Sequence, residues 1–191
     1  YKRQVAILSS EEIRSRGFRE LGDIVRYTAG VNQSQGEGHR DSVVFRGVRS
    51  TADFYRDGLR DDVQYFRSLY NVEQVEVLRG PNALLFGRGG TGGLINRVTK
   101  KAMIGQSGGS FDAGSDTFGA FDVAADFNIQ TSESSALRIN AHRDSLENHR
   151  NFYDGQRVGF NPTFRMELGQ DTTLDLSYEH ANHERFIDRG I

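Results

Sequence analysis

Two rhythms of apolar and polar residues divide this chain. Over roughly the first hundred residues the apolar positions come in short, mixed runs. Val5, Ile7 and Leu8 make a brief strand-like piece. Ser9 and Glu12 then fit a capping box, in which hydroxyl and carboxylate satisfy free backbone N–H groups at a helix start, and Gly17 is placed to stop that helix. Leu21, Ile24, Val25 and Thr28 share one face at helical spacing, which predicts a second helix from Phe18 or Arg19 to Thr28, ended by Gly30. Residues 32–41 are polar, carry Gly36 and Gly38, and read as a loop. Residues 42–46 form a β-branched run closed by Gly47. Phe54-Tyr55-Arg56 and Leu59-Arg60 flank Asp57-Gly58, a dipeptide suited to a hairpin turn with positive φ. Residues 61–70, aromatic and charged, read as another loop. Residues 73–79 predict a strand that runs into a Gly80-Pro81 turn. One apolar helical turn at 83–86, a glycine-rich loop and a second short strand at 93–99 complete this half. Its glycines at 87, 89, 90, 92 and 93 free the backbone to bend sharply.

From Gly108 the period becomes two. Phe121, Val123, Ala125, Phe127 and Ile129 alternate with Asp122, Ala124, Asp126 and Asn128. Leu137, Ile139 and Ala141 alternate with Arg138, Asn140 and His142. Val158, Phe160, Pro162, Phe164, Met166 and Leu168 alternate with Asn161, Thr163, Arg165 and Glu167. Leu174, Leu176 and Tyr178 alternate with Asp175, Ser177 and Glu179. With a shorter strand near 110–115, five strands are predicted. A soluble antiparallel sheet with one wet face would also alternate. Three features favour a transmembrane barrel. The strands approach the ~9–11 residues that cross a bilayer. The polar face is charged in nearly every strand, as a wet lumen would be, and short turns (131–135, 169–171) oppose a longer loop (147–156). Five strands cannot close a barrel that needs about eight or more. The chain, which opens mid-pattern with no visible signal peptide, is therefore expected to be a fragment of a longer mature protein.

Composition removes several classes. A net charge of −2 gives no electrostatic argument for nucleic acid. Zero Cys removes disulfides, thiolate metal sites and Cys nucleophiles. No apolar run approaches the roughly 18 residues of a transmembrane helix, which leaves a strand-built barrel open. The run from Gly87 to Gly93 has no Gly-Lys-Ser/Thr ending and leads into a strand, so it is not a phosphate loop. His180 and His183, three apart on a strand, face opposite ways. No metal site and no catalytic Ser-His-Asp set is expected.

The set Ala29-Gly30-Val31, Phe45-Arg46-Gly47, Asp57-Gly58, Val75-Glu76-Val77-Leu78-Arg79-Gly80-Pro81, Phe86-Gly87 and Gly92-Gly93-Leu94-Ile95-Asn96 resembles the plug domain of TonB-dependent outer-membrane receptors, of the ferric-siderophore branch. Ala29 stands where the family usually has Pro, and Ala102 where Pro often follows the second Lys. The resemblance implies an α+β plug domain over residues 1–102, followed over residues 103–191 by the first ~5 antiparallel strands of a roughly 22-stranded transmembrane β-barrel. It implies TonB-dependent uptake of a ferric siderophore across the outer membrane of a Gram-negative bacterium. The plug would gate the barrel, the TonB–ExbB–ExbD complex would supply energy, and outer-membrane lipid would surround the wall. The protein would be no enzyme and need no cofactor, the chelate being cargo. A receptor for haem, cobalamin or another nutrient is the nearest alternative. A soluble β-rich binding or adhesive module is the alternative of another class.

The same resemblance places ligand contact on outward loops, at residues 33–41, 49–54 and 61–68. Tyr65 and Phe66 would present rigid apolar area with a polar handle. Arg49 would meet chelate charge, with Ser50 and Gln33 nearby. The bland alternative packs Tyr65 and Phe66 against wall or loop and leaves Arg49 a solvated charge. Arg46, Arg79, Glu73 and Glu76 would anchor plug strands, with Arg138, Glu167 and Asp175 as wall-side partners.

Overall fold

The computed structural model describes residues 5–34, 38–50, 53–80 and 92–187. The Gly-Pro turn, the helical turn and most of the glycine-rich loop lie outside them, as do Gly36, Thr51 and Ala52. The chain divides into two compact units, the first running to Thr99 and the second from Lys100 to Phe186.

The first unit opens with β1 (Val5–Ser9) and α1 (Ser10–Ser15). Ser9 Oγ accepts from the Glu12 N–H at 3.3 Å, the hydroxyl half of a capping box. The Glu12 carboxylate turns instead to Arg16 at 2.7 Å. The next helix, α2 (Leu21–Arg26), starts later than its apolar spacing alone suggests. Asp23 Oδ2 accepts from the N–H groups of Arg19 and Glu20, and Glu20, with extended backbone, is the cap. Then come β2 (Val31–Gln33), β3 (Val43–Phe45), β4 (Val48–Ser50), β5 (Phe54–Arg56), β6 (Leu59–Arg60), β7 (Val72–Arg79) and β8 (Gly93–Thr99).

Two sheets result. One is antiparallel, in the order β2-β3-β4; the other has the order β1-β7-β8-β5-β6. β2 occupies the start of the predicted loop, because Asn32 and Gln33 complete a ladder with Val44 and Val43. Arg46, expected on a strand, instead takes φ 47° beside Gly47 at φ 91°, so the two residues make the β3–β4 turn. The Asp57-Gly58 turn forms as read, with φ of 50° and 80°. Leu21, Ile24, Val25, Phe45, Phe54, Val75, Val77 and Ile95 are among the buried residues of one core. Each such side chain contributes about 1.5–3 kcal/mol by leaving water.

The central strand is β8, antiparallel to β7 and parallel to β5. Its first residue must be glycine. A Cβ on Gly93, at φ +156°, would meet Leu78 O at 2.6 Å and the Phe45 ring at 2.7 Å.

The second unit is an antiparallel sheet of β9 (Gly108–Ser115), β10 (Phe121–Ser132), β11 (Ser135–Glu147), β12 (Asp154–Glu167), β13 (Thr173–Ser177) and β14 (His180–Arg185). From β9 to β13 neighbours follow chain order. Register keeps the two faces apart: Ala125, Ala141 and Phe160 align, as do Asp126, Asn140 and Asn161. The last predicted strand, 174–179, is β13, and β14 follows it as a further strand not predicted from the alternation. β13 and β14 both pair with β12, and the break falls beside Pro162, which has no N–H to give a ladder. The Asn161 carboxamide donates to the Tyr178 carbonyl there.

Candidate ligand-binding loops and their buried charged cluster

The loop between β6 and β7 has no regular structure and carries Tyr65 and Phe66. It is ordered by a guanidinium. Arg67 is 1% exposed, and its side chain serves as the core of its own loop. Nη2 donates to the carbonyls of Asp61 (2.9 Å) and Val63 (2.8 Å), Nη1 to the Tyr65 carbonyl (3.2 Å), and Nε to Asp61 Oδ2 (3.1 Å). The guanidinium Cζ lies over the rings of Phe54 and Tyr65, 4.0 and 4.5 Å from their centroids. Arg suits this position because its five donors are planar and its faces stack on aromatics.

Three other segments converge on the same loop. Asp41 Oδ2 accepts the Arg67 backbone N–H at 2.8 Å and lies 3.6 Å from Nη1, while the Asp41 N–H donates to the Tyr65 carbonyl. The start of α2 is tied in through Leu21 N–H to Arg67 O and Leu69 N–H to Arg19 O. From β8, Arg97 Nη2 donates to Asp61 Oδ2 (2.8 Å) and to the Tyr65 hydroxyl (2.7 Å), which itself donates to Asp61 (2.8 Å). Burial pushes Asp41 up to about 7, against the pull of Arg67. Asp61 is held below its ordinary value: burial would raise it, but Arg67, the Tyr65 hydroxyl and Arg97 together outweigh that. Burial pushes the Tyr65 phenol up.

The expected ligand residues occupy distinct settings. Tyr65 and Phe66 are both half-buried, and the Tyr65 hydroxyl is engaged by Asp61 and Arg97. Arg49 is exposed on β4, and Ser50 ends that strand. Gln33 is half-buried on β2, its carboxamide so close to α2 that a Cβ on Gly22 would meet it at 2.5 Å. Among the expected anchors, Glu76 accepts from Asn96 (2.9 Å) and Gln74 (2.7 Å). Ser10 Oγ donates to Glu73 at 3.4 Å, and Arg79 Nη1 donates to the Ala29 carbonyl. Arg46 is exposed in its turn. In the second unit Arg138 holds Asp126 with two donors at 2.8 Å, and Asp175 is held likewise by Arg165 at 2.6 and 2.9 Å. Glu167 closes β12, its backbone N–H donating to the Ser134 carbonyl.

Sequence reasoning passed over Asp41, Asp61, Arg67 and Arg97. One signal was available for Arg97: a charged residue amid the apolar run of a short strand needs a partner. The polar loop gave no such sign for Arg67.

A mixed α+β unit followed in the chain by long antiparallel strands, apolar on one face and charged on the other, defines the class of plugged transmembrane barrels. The family model for the TonB-dependent receptor plug domain matches residues 2–94. A probable TonB-dependent receptor of Bordetella pertussis, BfrD, is 34% identical over 99% of this chain and 26% of its own length. The catecholate siderophore receptor Fiu of Escherichia coli K12 is 30% identical over the same shares. The crystal structure of that ferric-catecholate import receptor in its open form matches all of this chain and 28% of its own, with a TM-score of 0.90 at 27% identity. The siderophore receptor PiuA of Acinetobacter baumannii matches 94% of this chain and 26% of its own, with a TM-score of 0.83 at 28% identity. The chain belongs to the TonB-dependent receptors, and it comprises plug and N-terminal barrel strands. It spans about a quarter of the length of the curated relatives it matches.

Proposed function

We propose that the protein carrying this chain imports a ferric siderophore across the Gram-negative outer membrane, energised by the TonB–ExbB–ExbD complex. The observation that carries this reading is the likeness, along 99% of the chain, to a receptor named for catecholate siderophores. The plug-side loops support it chemically. Tyr65 and Phe66 ride on a loop whose shape is set by Arg67, so they meet a ligand with little ordering entropy left to lose. Arg49 and Ser50 on β4, with Gln33 on β2 of the same sheet, add cationic and hydrogen-bonding contact for an anionic chelate. The role is binding and passage without covalent chemistry, and the iron arrives held by its siderophore, so no protein cofactor or metal ligand is called for. The unit that runs to Thr99 acts as the plug and the unit from Lys100 as the beginning of the wall, three residues before the boundary expected at 102, with the charges of Arg46, Arg79, Glu73 and Glu76 helping to seat one in the other.

The test is growth and binding. Iron-starved cells lacking the gene are expected to lose growth on at least one ferric siderophore. Normal growth on every siderophore, with a defect on haem or cobalamin, would move the assignment to that nutrient. In purified full-length receptor, Tyr65→Ala with Phe66→Ala is expected to weaken chelate binding by roughly 10-fold or more, the loss of two aromatic contacts. Unchanged affinity in a folded double variant would remove these residues from the site.

A further inference from the structure

The chain passes from the first compact unit into the second at the Thr99–Lys100 bond, and each side of that bond is gripped separately. Thr99, the last residue of β8, donates its backbone N–H to Asp57 Oδ1 (2.8 Å) and its hydroxyl to Asp57 Oδ2 (2.6 Å), within the first unit. Lys100, one residue on, pairs through Nζ with Asp126 Oδ2 of β10 at 2.9 Å. The next six residues form no strand, yet they are held down on β10 and β11. Arg138 Nη1 donates to the Lys101 carbonyl at 3.1 Å while its other two donors hold Asp126. The Asn128 carboxamide makes three bonds: its oxygen accepts the Met103 N–H (2.9 Å), and its nitrogen donates to the carbonyls of Met103 (2.8 Å) and Gln106 (2.7 Å). Asn128 is 6% exposed and Ala102 1%. Asn128 and Arg138 are register partners, so one cross-strand pair grips the whole segment.

A flexible tether needs none of this. A Gly/Ser-type connector would leave its backbone to water, whereas here one asparagine satisfies both polar groups of Met103 as a strand neighbour would. We infer that residues 100–106 are a fixed strap of the wall, and that Asn128 is the positioning residue that stops plug rearrangement at the Thr99–Lys100 bond. This rests on the transport reading above. When the N-terminal side of the plug is pulled, β8 and its Asp57 grip belong to the moving part, and the strap stays.

Thiol labelling in cells tests this with the full-length receptor, made otherwise free of accessible cysteines. Ile95→Cys reports on the plug core and Ala102→Cys on the strap. During energised uptake Ile95→Cys is expected to become reactive while Ala102→Cys stays protected. Adding Asn128→Ala, which deletes three hydrogen bonds, is expected to raise labelling of Ala102→Cys by on the order of 100-fold. Asn128→Asp, which keeps the acceptor for Met103, is expected to raise it less. Labelling of Ala102→Cys in step with Ile95→Cys, with Asn128 intact, would overturn the strap and leave transport standing. A receptor that takes up no siderophore but keeps Asn128-dependent protection of Ala102→Cys would overturn the transport reading and leave the strap standing. Protection that does not depend on Asn128 would overturn its role.

Discussion

Replacing Arg67 with Met keeps the length and apolar stem of the side chain and removes its donors. Two costs follow from the geometry. The Asp41 carboxyl, 2% exposed, loses the cation 3.6 Å away; because burial already pushes it up to about 7, it answers by taking up a proton, at a cost of about 1 kcal/mol near neutral pH. The carbonyls of Asp61, Val63 and Tyr65 lose their donors, at about 1–3 kcal/mol for each one that water cannot reach. Asp61 itself keeps Arg97 and the Tyr65 hydroxyl, so it adds little. The costs overlap, and about 4 kcal/mol is a conservative sum, a large share of the roughly 5–15 kcal/mol that holds a domain together. Hydrogen exchange on the full-length receptor in detergent reads this locally. The amides of Arg67 and Leu69, bonded to Asp41 and to the Arg19 carbonyl, are expected to exchange about 10³-fold faster. Arg67→Lys is expected to recover only part of the loss, since one ammonium can neither stack on the Phe54 and Tyr65 rings nor reach all three carbonyls. Adding Asp41→Asn to Arg67→Met is expected to restore only the share of protection that Asp41 cost, because the three carbonyls still lack their donors. Equal exchange in native and Arg67→Lys receptors, or a double variant worse than the sum of its parts, would refute a loop built around this guanidinium.

Asp41 sets a pH dependence of defined sign. Its folded value of about 7 lies above the ordinary 3.8, so the fold favours the protonated acid. Its contribution is therefore full at low pH and is lost as pH rises from about 4 to about 7. Protection of the Arg67 amide, corrected for intrinsic exchange, is expected to fall across that window and to stay level in Asp41→Asn; a native profile that rises instead contradicts the sign. Asp61 works oppositely and lower: held below its ordinary value, it stabilises above that value and loses the effect as acid protonates it. Gly93→Ala places a methyl against Leu78 O and the Phe45 ring, and is expected to cost several kcal/mol through strain and overpacking, on the order of 3; native protection of the β7–β8 amides would argue against it. Asp57→Ala removes both bonds to Thr99, and is expected to lower the stability of β8 by about 1–3 kcal/mol, read from the Thr99 amide.

Much of this molecule is written in local signals. Asp57-Gly58 specifies its hairpin because both residues tolerate positive φ, and Ser9 caps α1 because its hydroxyl reaches the Glu12 N–H. The alternation from Phe121 to Tyr178 marks sheet, faces and register, since a one-residue slip would turn every apolar side chain to the wrong side. The ordered motif set around Val75–Pro81 was enough to name the family.

The sequence therefore determined the elements, the two-sided character of the wall strands and the kind of protein. The tertiary structure decided what those elements do to one another. β8 lies at the centre of its sheet, parallel to β5 and antiparallel to β7, an arrangement no short window contains. Arg67 sits in a polar loop that reads the same whether its guanidinium is solvated or wrapped by its own backbone. Asn128 occupies an ordinary polar position of an alternating strand, and only the fold shows a strap laid across it. Dihedral preference and periodicity are properties of neighbours in the chain. Burial of charge, and the partner that makes it tolerable, depend on which distant surfaces meet.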